Sequence, residues 1–128
     1  MSVRLLGMDP SPLVLEVISE AVGGVPVGYD MPDGDRKVWL TLSAGAYPTP
    51  VTQRWTLTVS VYDASPSGVL DHMSAQSTWM AAARAVLHDR HVHPLCDAEV
   101  QSGPLVNHDA DLDVDYVYGA LMLTVTAN

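Results

Sequence analysis

Three imidazoles and one thiol crowd the stretch His88-Asp-Arg-His-Val-His-Pro-Leu-Cys96. Histidine nitrogens and a cysteine thiolate are the ligand types zinc prefers. The spacing, however, matches none of the usual zinc signatures, in which a Cys pair stands about a dozen residues from a His pair. His88, His91 and His93 also have a plainer role at the end of a helix, where a partly protonated imidazole interacts favourably with the helix dipole. Pro94 makes the segment a turn. We expect no metal at His88, His91, His93 and Cys96.

The second candidate is His108-Asp-Ala-Asp-Leu-Asp-Val-Asp, which sets Asp109, Asp111, Asp113 and Asp115 two apart. A calcium loop of the EF-hand type opens the same way but then requires Gly at its sixth position and Glu at its twelfth. Those positions hold Val114 and Ala120, so the match breaks where calcium geometry is most demanding. If extended, the four carboxylates would line one face, repel one another and seek water. A solvated acidic edge is the expectation.

Catalysis finds little support. The chain has no Gly-x-Ser-x-Gly elbow, no Gly-x-x-x-x-Gly-Lys loop and no His-Glu-x-x-His. Cys96 with a nearby His could serve as a nucleophile, but a lone incidental thiol is the simpler reading. The expectation is a non-enzyme with no catalytic residue and no cofactor.

These residues must be held by a scaffold, and the scaffold is the better-written part of the sequence. In Gln53–Asp63, Trp55, Leu57, Val59 and Val61 alternate with Arg54, Thr56, Thr58, Ser60 and Tyr62, the period of a half-buried strand. Lys37 to Ser43 alternates Val38, Leu40 and Leu42 against Trp39 and Thr41, giving a second strand. The Pro- and Gly-rich loop Ala44 to Pro50 joins the two, which are expected to pair antiparallel. Asp9-Pro-Ser-Pro starts a helix, with Asp9 or Ser11 capping, and Gly23-Gly24 stops it. Val25 to Asp35 is an extended segment closed by a Pro-Asp-Gly turn. A second helix is expected from about Ser67 to His88, with Leu70, Met73, Met80, Ala83 and Leu87 as its apolar stripe. Ala98 to Gly103 is a short strand candidate. Val106 to Asp115 reads as an acidic loop, and Tyr116 to Thr126 as a last strand with Val117, Leu121, Leu123 and Val125 on one face. The fold class is α+β: a mainly antiparallel four- to five-stranded sheet with two helices packed on it.

With 128 residues, the chain is expected to form one domain, residues 1–128, around one core. It has no apolar run of about 18 residues or more, which argues against a membrane helix, and Met1 to Met8 is too weakly charged and apolar for a signal peptide. Synthesis in a cytoplasm follows. Cys96 is alone, so no internal disulfide forms. The net charge of −9 argues against a protein that grips nucleic acid by its phosphates, which takes clustered Lys and Arg. Without a basic surface, Trp39, Trp55 and Trp79 are core or partner-facing residues and not base-stacking platforms.

In the order and character of its segments the chain resembles tail terminator proteins of long-tailed bacteriophages, the neck components that cap the tail tube. The resemblance lies in the amino-terminal helix ending at Gly23-Gly24, in Pro26-Val-Gly-Tyr-Asp-Met-Pro and in Val38-Trp-Leu-Thr-Leu. It continues through Arg54-Trp-Thr-Leu-Thr-Val-Ser-Val-Tyr-Asp, the Ala81-Ala-Ala-Arg-Ala-Val-Leu helix and Tyr118-Gly-Ala-Leu-Met-Leu-Thr-Val-Thr-Ala. It implies a virion structural protein that forms a ring, commonly a hexamer. Such a ring ends tube polymerisation and joins tail to head, with tail-tube protein and a head-closure or connector protein as partners. Tyr47, Trp39 and Trp55 are then candidate interface residues. DNA would pass through the ring without specific binding, and Asp109, Asp111, Asp113 and Asp115 could line an acidic lumen that repels a polyanion. The alternatives are another neck protein, for head closure or tail completion, and a small intracellular binding module.

Overall fold

The computed structural model describes residues 6–127, so the Met1–Leu5 part of the amino-terminal stretch lies outside the described residues. The elements run α1 (Ser11–Val22), β1 (Val27–Gly28), β2 (Arg36–Ala44), β3 (Thr52–Asp63), α2 (His72–His88), β4 (Leu95–Asp109) and β5 (Val114–Thr126). No described helix is long and apolar enough to cross a membrane.

Five strands form one sheet in the order β1-β2-β3-β5-β4. The α+β expectation holds. The sheet is mixed, because the two-residue β1 pairs parallel with Val38 and Trp39 of β2 while every other pair is antiparallel. β2 and β3 are antiparallel neighbours as expected, with Leu40 opposite Val59 and Leu42 opposite Leu57. The two-residue period fixes which side chains go inward: Leu57, Val59 and Val61 of β3 join Leu121, Leu123 and Val125 of β5 in the core.

Helix α1 begins where the Asp9 carboxylate accepts the Ser11 amide at 2.9 Å and the Ser11 hydroxyl at 2.5 Å. It ends at Gly23 and Gly24, both in the left-handed region with φ of 43° and 73°. Val14 and Ile18, four apart on one face, are its buried residues.

The second helix departs from the expectation in start and phase. Ser65-Pro66-Ser67 does not open it: the Gly68 amide donates to the Ser65 carbonyl at 2.8 Å, with Gly68 at φ 84°, so these residues form a turn. Leu70, buried, then bridges back to Ala64, and Asp71 is the true cap, accepting the Ser74 amide at 3.1 Å. The buried stripe is Ala75, Thr78, Trp79, Ala82, Ala83 and Val86. Met73 is 86% exposed, and Met80 and Leu87 are flanking contacts only. Small residues seat the helix because the sheet comes close. Trp79 lies against Gly119 of β5, where an added Cβ would stand 2.3 Å from its ring, and its indole N–H donates to the Val59 carbonyl at 3.1 Å.

The largest correction concerns the segment expected as a short strand and an acidic loop. Ala98–Gly103 and Val106–Asp109 belong to one strand, β4, of 15 residues, and only residues 110–113 turn. Pro104 is tolerated because β4 is an edge strand and its register with β5 shifts between Val100 and Leu105. Gly103, at φ 92°, crosses Gly119 so closely that a Cβ on it would meet the Gly119 Cα at 2.6 Å.

Candidate interaction surfaces

The sheet presents two different edges. On one side β1 ends at Gly28, and no strand among the described residues pairs outside Leu40–Ala44 of β2. Beside this free edge runs a shallow groove of about 380 Å³ walled by Tyr29, Trp39 and Trp55. Two of the three expected interface residues therefore meet in one place. The Trp39 indole donates to the Tyr29 carbonyl at 2.9 Å, and the Tyr29 hydroxyl donates to the Ser11 carbonyl at 2.8 Å. Burial pushes the Tyr29 hydroxyl up to about 12, so it stays a donor at any ordinary pH. The Trp55 indole nitrogen is buried with no hydrogen-bond partner among the described residues. Tyr47 stands apart, half-buried in the β2–β3 connection, where Gly45 and Ala46 still pair with the backbone of Arg54 at 2.8 Å.

On the other side lies β4, whose outer half carries Leu105 and Val106 at 51–52% exposure. The register puts the turn of this hairpin beyond Val61 and Val117, at the end of the sheet opposite Tyr47.

The four aspartates at that turn do not line one face. Asp109 is a structural cap: one carboxylate oxygen accepts the amides of Asp111 and Leu112 at 2.9 and 3.0 Å, and the other accepts the Tyr62 hydroxyl at 2.8 Å. These donors hold its pKa below the usual carboxylate value, the Leu112 amide contributing most. Asp113 and Asp115 instead clamp His108, at 3.1 Å from Nε2 and 2.8 Å from Nδ1. The hydrogen bond to Asp115, first, and the nearby charges raise the His108 pKa. The notional acidic row is thus one cap, one histidine clamp and the exposed Asp111.

The His88–Cys96 cluster is not assembled either. His88 pairs with Asp89 at 3.0 Å, and His91 Nδ1 donates to the Cys96 backbone carbonyl at 2.8 Å, leaving the thiol exposed and pointing to no shared centre. Among the described residues, no group of three or more His, Cys, Asp or Glu is placed to hold a metal ion.

One constellation went unseen in the sequence. On the sheet face away from the helices, Tyr62 stacks on Tyr116 with centroids 4.7 Å apart, and Tyr118 follows at 5.9 Å. Burial, then Asp109, raises the Tyr62 pKa. The signal was present as Tyr116-Val-Tyr118 alternation beside a strand ending in Tyr62, but only the register brings the rings together.

Fold and surfaces together define a small α+β scaffold whose prominent features are edges and a projecting hairpin. The chain matches no protein-family model and no curated protein.

Proposed function

We propose that the protein is a ring-forming structural subunit at the head-proximal end of a phage tail, where it ends tube polymerisation and joins tail to head. The carrying observation is the pair of unlike edges on one sheet. The aromatic groove beside β2 and the apolar outer half of β4 lie on opposite sides of the molecule. A contact between two different surfaces of identical subunits is heterologous, and heterologous contacts close into rings when the rotation per subunit allows. Isologous dimers need only one such surface.

The segment order of tail terminators supports the same reading, as does the acidic balance. A net charge of −9 suits a channel that DNA traverses without sticking. In this reading Asp111 and the clamped Asp113 and Asp115 face the channel. Tail-tube protein and a head-closure or connector protein are the partners. Tube protein polymerised with and without this chain tests the role. Tubes capped by rings and shortened in its presence are expected. Tubes of unchanged length with bare ends would refute it.

A further inference from the structure

The two edges of the sheet are guarded differently. An edge strand offers unpaired amides and carbonyls to any extended chain, and charges, prolines or bulges commonly blunt it. Up to Pro104, β4 has all three: Asp97 and Glu99 are exposed, and its register with β5 shifts repeatedly between Leu95 and Leu105. The free part of β2, Leu40–Ala44, reads Leu-Thr-Leu-Ser-Ala and has none of them.

The backbone phase of that edge follows from its two ends. The Val38 amide donates outward to the Pro26 carbonyl at 2.8 Å, whereas the Gly45 amide donates inward to the Arg54 carbonyl of β3 at 2.8 Å. Strand alternation therefore aims the amides and carbonyls of Leu42 and Ala44 outward, beyond the end of β1, where no described strand meets them. The groove beside Tyr29 and Trp39 is lined by Leu40 to Leu42 themselves, so an extended segment laid in it lies along this edge. The direction of an incoming strand is also set. Each neighbouring pair in β2-β3-β5-β4 is antiparallel, so β2 and β4 run in opposite directions. With the ring axis along the strands, β4 of one copy meets β2 of the next antiparallel, the slightly stronger pairing. Past Pro104, Leu105–His108 is exposed throughout and carries neither Pro nor carboxylate.

We propose that Leu40–Ala44 of β2 accepts Leu105–His108 of a second copy's β4 as an added antiparallel strand. The outward amides and carbonyls of Leu42 and Ala44 carry the joint, which continues the sheet from one subunit into the next. The inference rests on the ring reading and names the contact that builds the ring.

Variants at the two edges test it by light scattering across a concentration series. Ala44→Pro removes one outward amide at an exposed edge residue, a place where Pro is tolerated. Thr41→Lys, also at an exposed residue, blunts the same edge and leaves the backbone intact, should the Pro variant not fold. Leu105→Lys spoils the other edge. Each folded variant should self-associate about tenfold more weakly than the wild type, or worse. Mixing Ala44→Pro with Leu105→Lys should restore one good joint and give a one-to-one complex that grows no further. In the wild-type assembly, amide exchange at Leu42 and Ala44 should slow by about tenfold or more relative to dilute protein. A monomeric wild type would overturn the ring reading and this joint with it. A wild type that assembles with exchange at Leu42 and Ala44 unchanged, or β2-edge variants that assemble as well as it does, would overturn the joint alone. A dimer of Leu105→Lys that Thr41→Lys abolishes would mean that β2 pairs with β2, and would overturn the role given to β4.

Discussion

The two halves of the β4–β5 hairpin are built on different principles. Near Leu95–Val100 the hairpin lies in the shelter of α2, where Leu95, Ala98, Leu121, Leu123 and Val125 are all at or below 5% exposure. Shape and apolar area hold this half. Beyond Gly103 the hairpin leaves that shelter: Leu105, Val106 and Leu112 are exposed, and its order comes from the Asp109 cap, the Tyr62–Asp109 contact and the His108 clamp. Polar contacts at the surface stabilise weakly and respond to pH, whereas burial does neither. A protein that must be a stable subunit and also make contacts benefits from keeping the two apart.

Substitutions should separate the halves. The largest effect is expected from Trp79→Ala, which empties the joint between α2 and Gly119 and removes the bond to Val59. A loss of about 3–5 kcal/mol in global unfolding by denaturant would match a buried Trp truncation. Gly119→Ala should cost about 1–3 kcal/mol, because its Cβ would fall 2.3 Å from the Trp79 ring and 2.7 Å from the Ser102 carbonyl. A neutral Gly119→Ala would mean that helix and sheet are not in the tight contact described.

In the projecting half, Asp109→Ala should act locally. Amide exchange at Asp111 and Leu112 should speed up, with exchange near Leu121 unchanged. Uniform acceleration across the chain would erase the distinction between the halves.

The same turn should have a pH window of its own. The folded pKa of His108 is raised above 6.5, so its contribution is complete below that value and is lost as pH rises through the raised pKa. The folded pKa of Asp109 is lowered below 3.8, so its contribution is complete above that value and is lost as pH falls through the lowered pKa. The turn should therefore be best ordered between about 3.8 and 6.5, as read by turn amide shifts, and His108→Gln should abolish the high-pH limb. Smallest of all should be the effect of Leu105→Lys or Val106→Lys on stability, within about 0.5 kcal/mol for exposed sites. If β4 is a ring contact, the same changes should abolish self-association.

Much of the helix-covered half was legible in the sequence. The alternation in Leu57–Val61 and Leu121–Val125, and the Asp9 and Gly23-Gly24 ends of α1, are local signals with one physical meaning. The start of α2 is obscured because Ser65-Pro66-Ser67 imitates a cap, while Gly68 takes a left-handed turn that leaves Asp71 to do the capping. Its stripe is hidden from a pattern of large apolar residues, because Ala75, Ala82 and Ala83 are buried for their small size. The projecting half was nearly illegible. Pro104 reads as a strand breaker unless the strand is known to be an edge with a shifted register, and alternating aspartates read as one charged face unless the turn is known. Tyr62, Lys37 and Leu112 share a cavity only after β3, β2 and the hairpin turn are placed, since 75 residues separate the last two.

Self-association through unlike edges is the claim on which the functional account turns, and its most direct test is the mass of the purified protein by light scattering, alone and with tail-tube protein. A closed oligomer, commonly a hexamer in this reading, that is lost on Leu105→Lys and seats at tube ends is the predicted result. A monomer at all concentrations that ignores tube protein would contradict it.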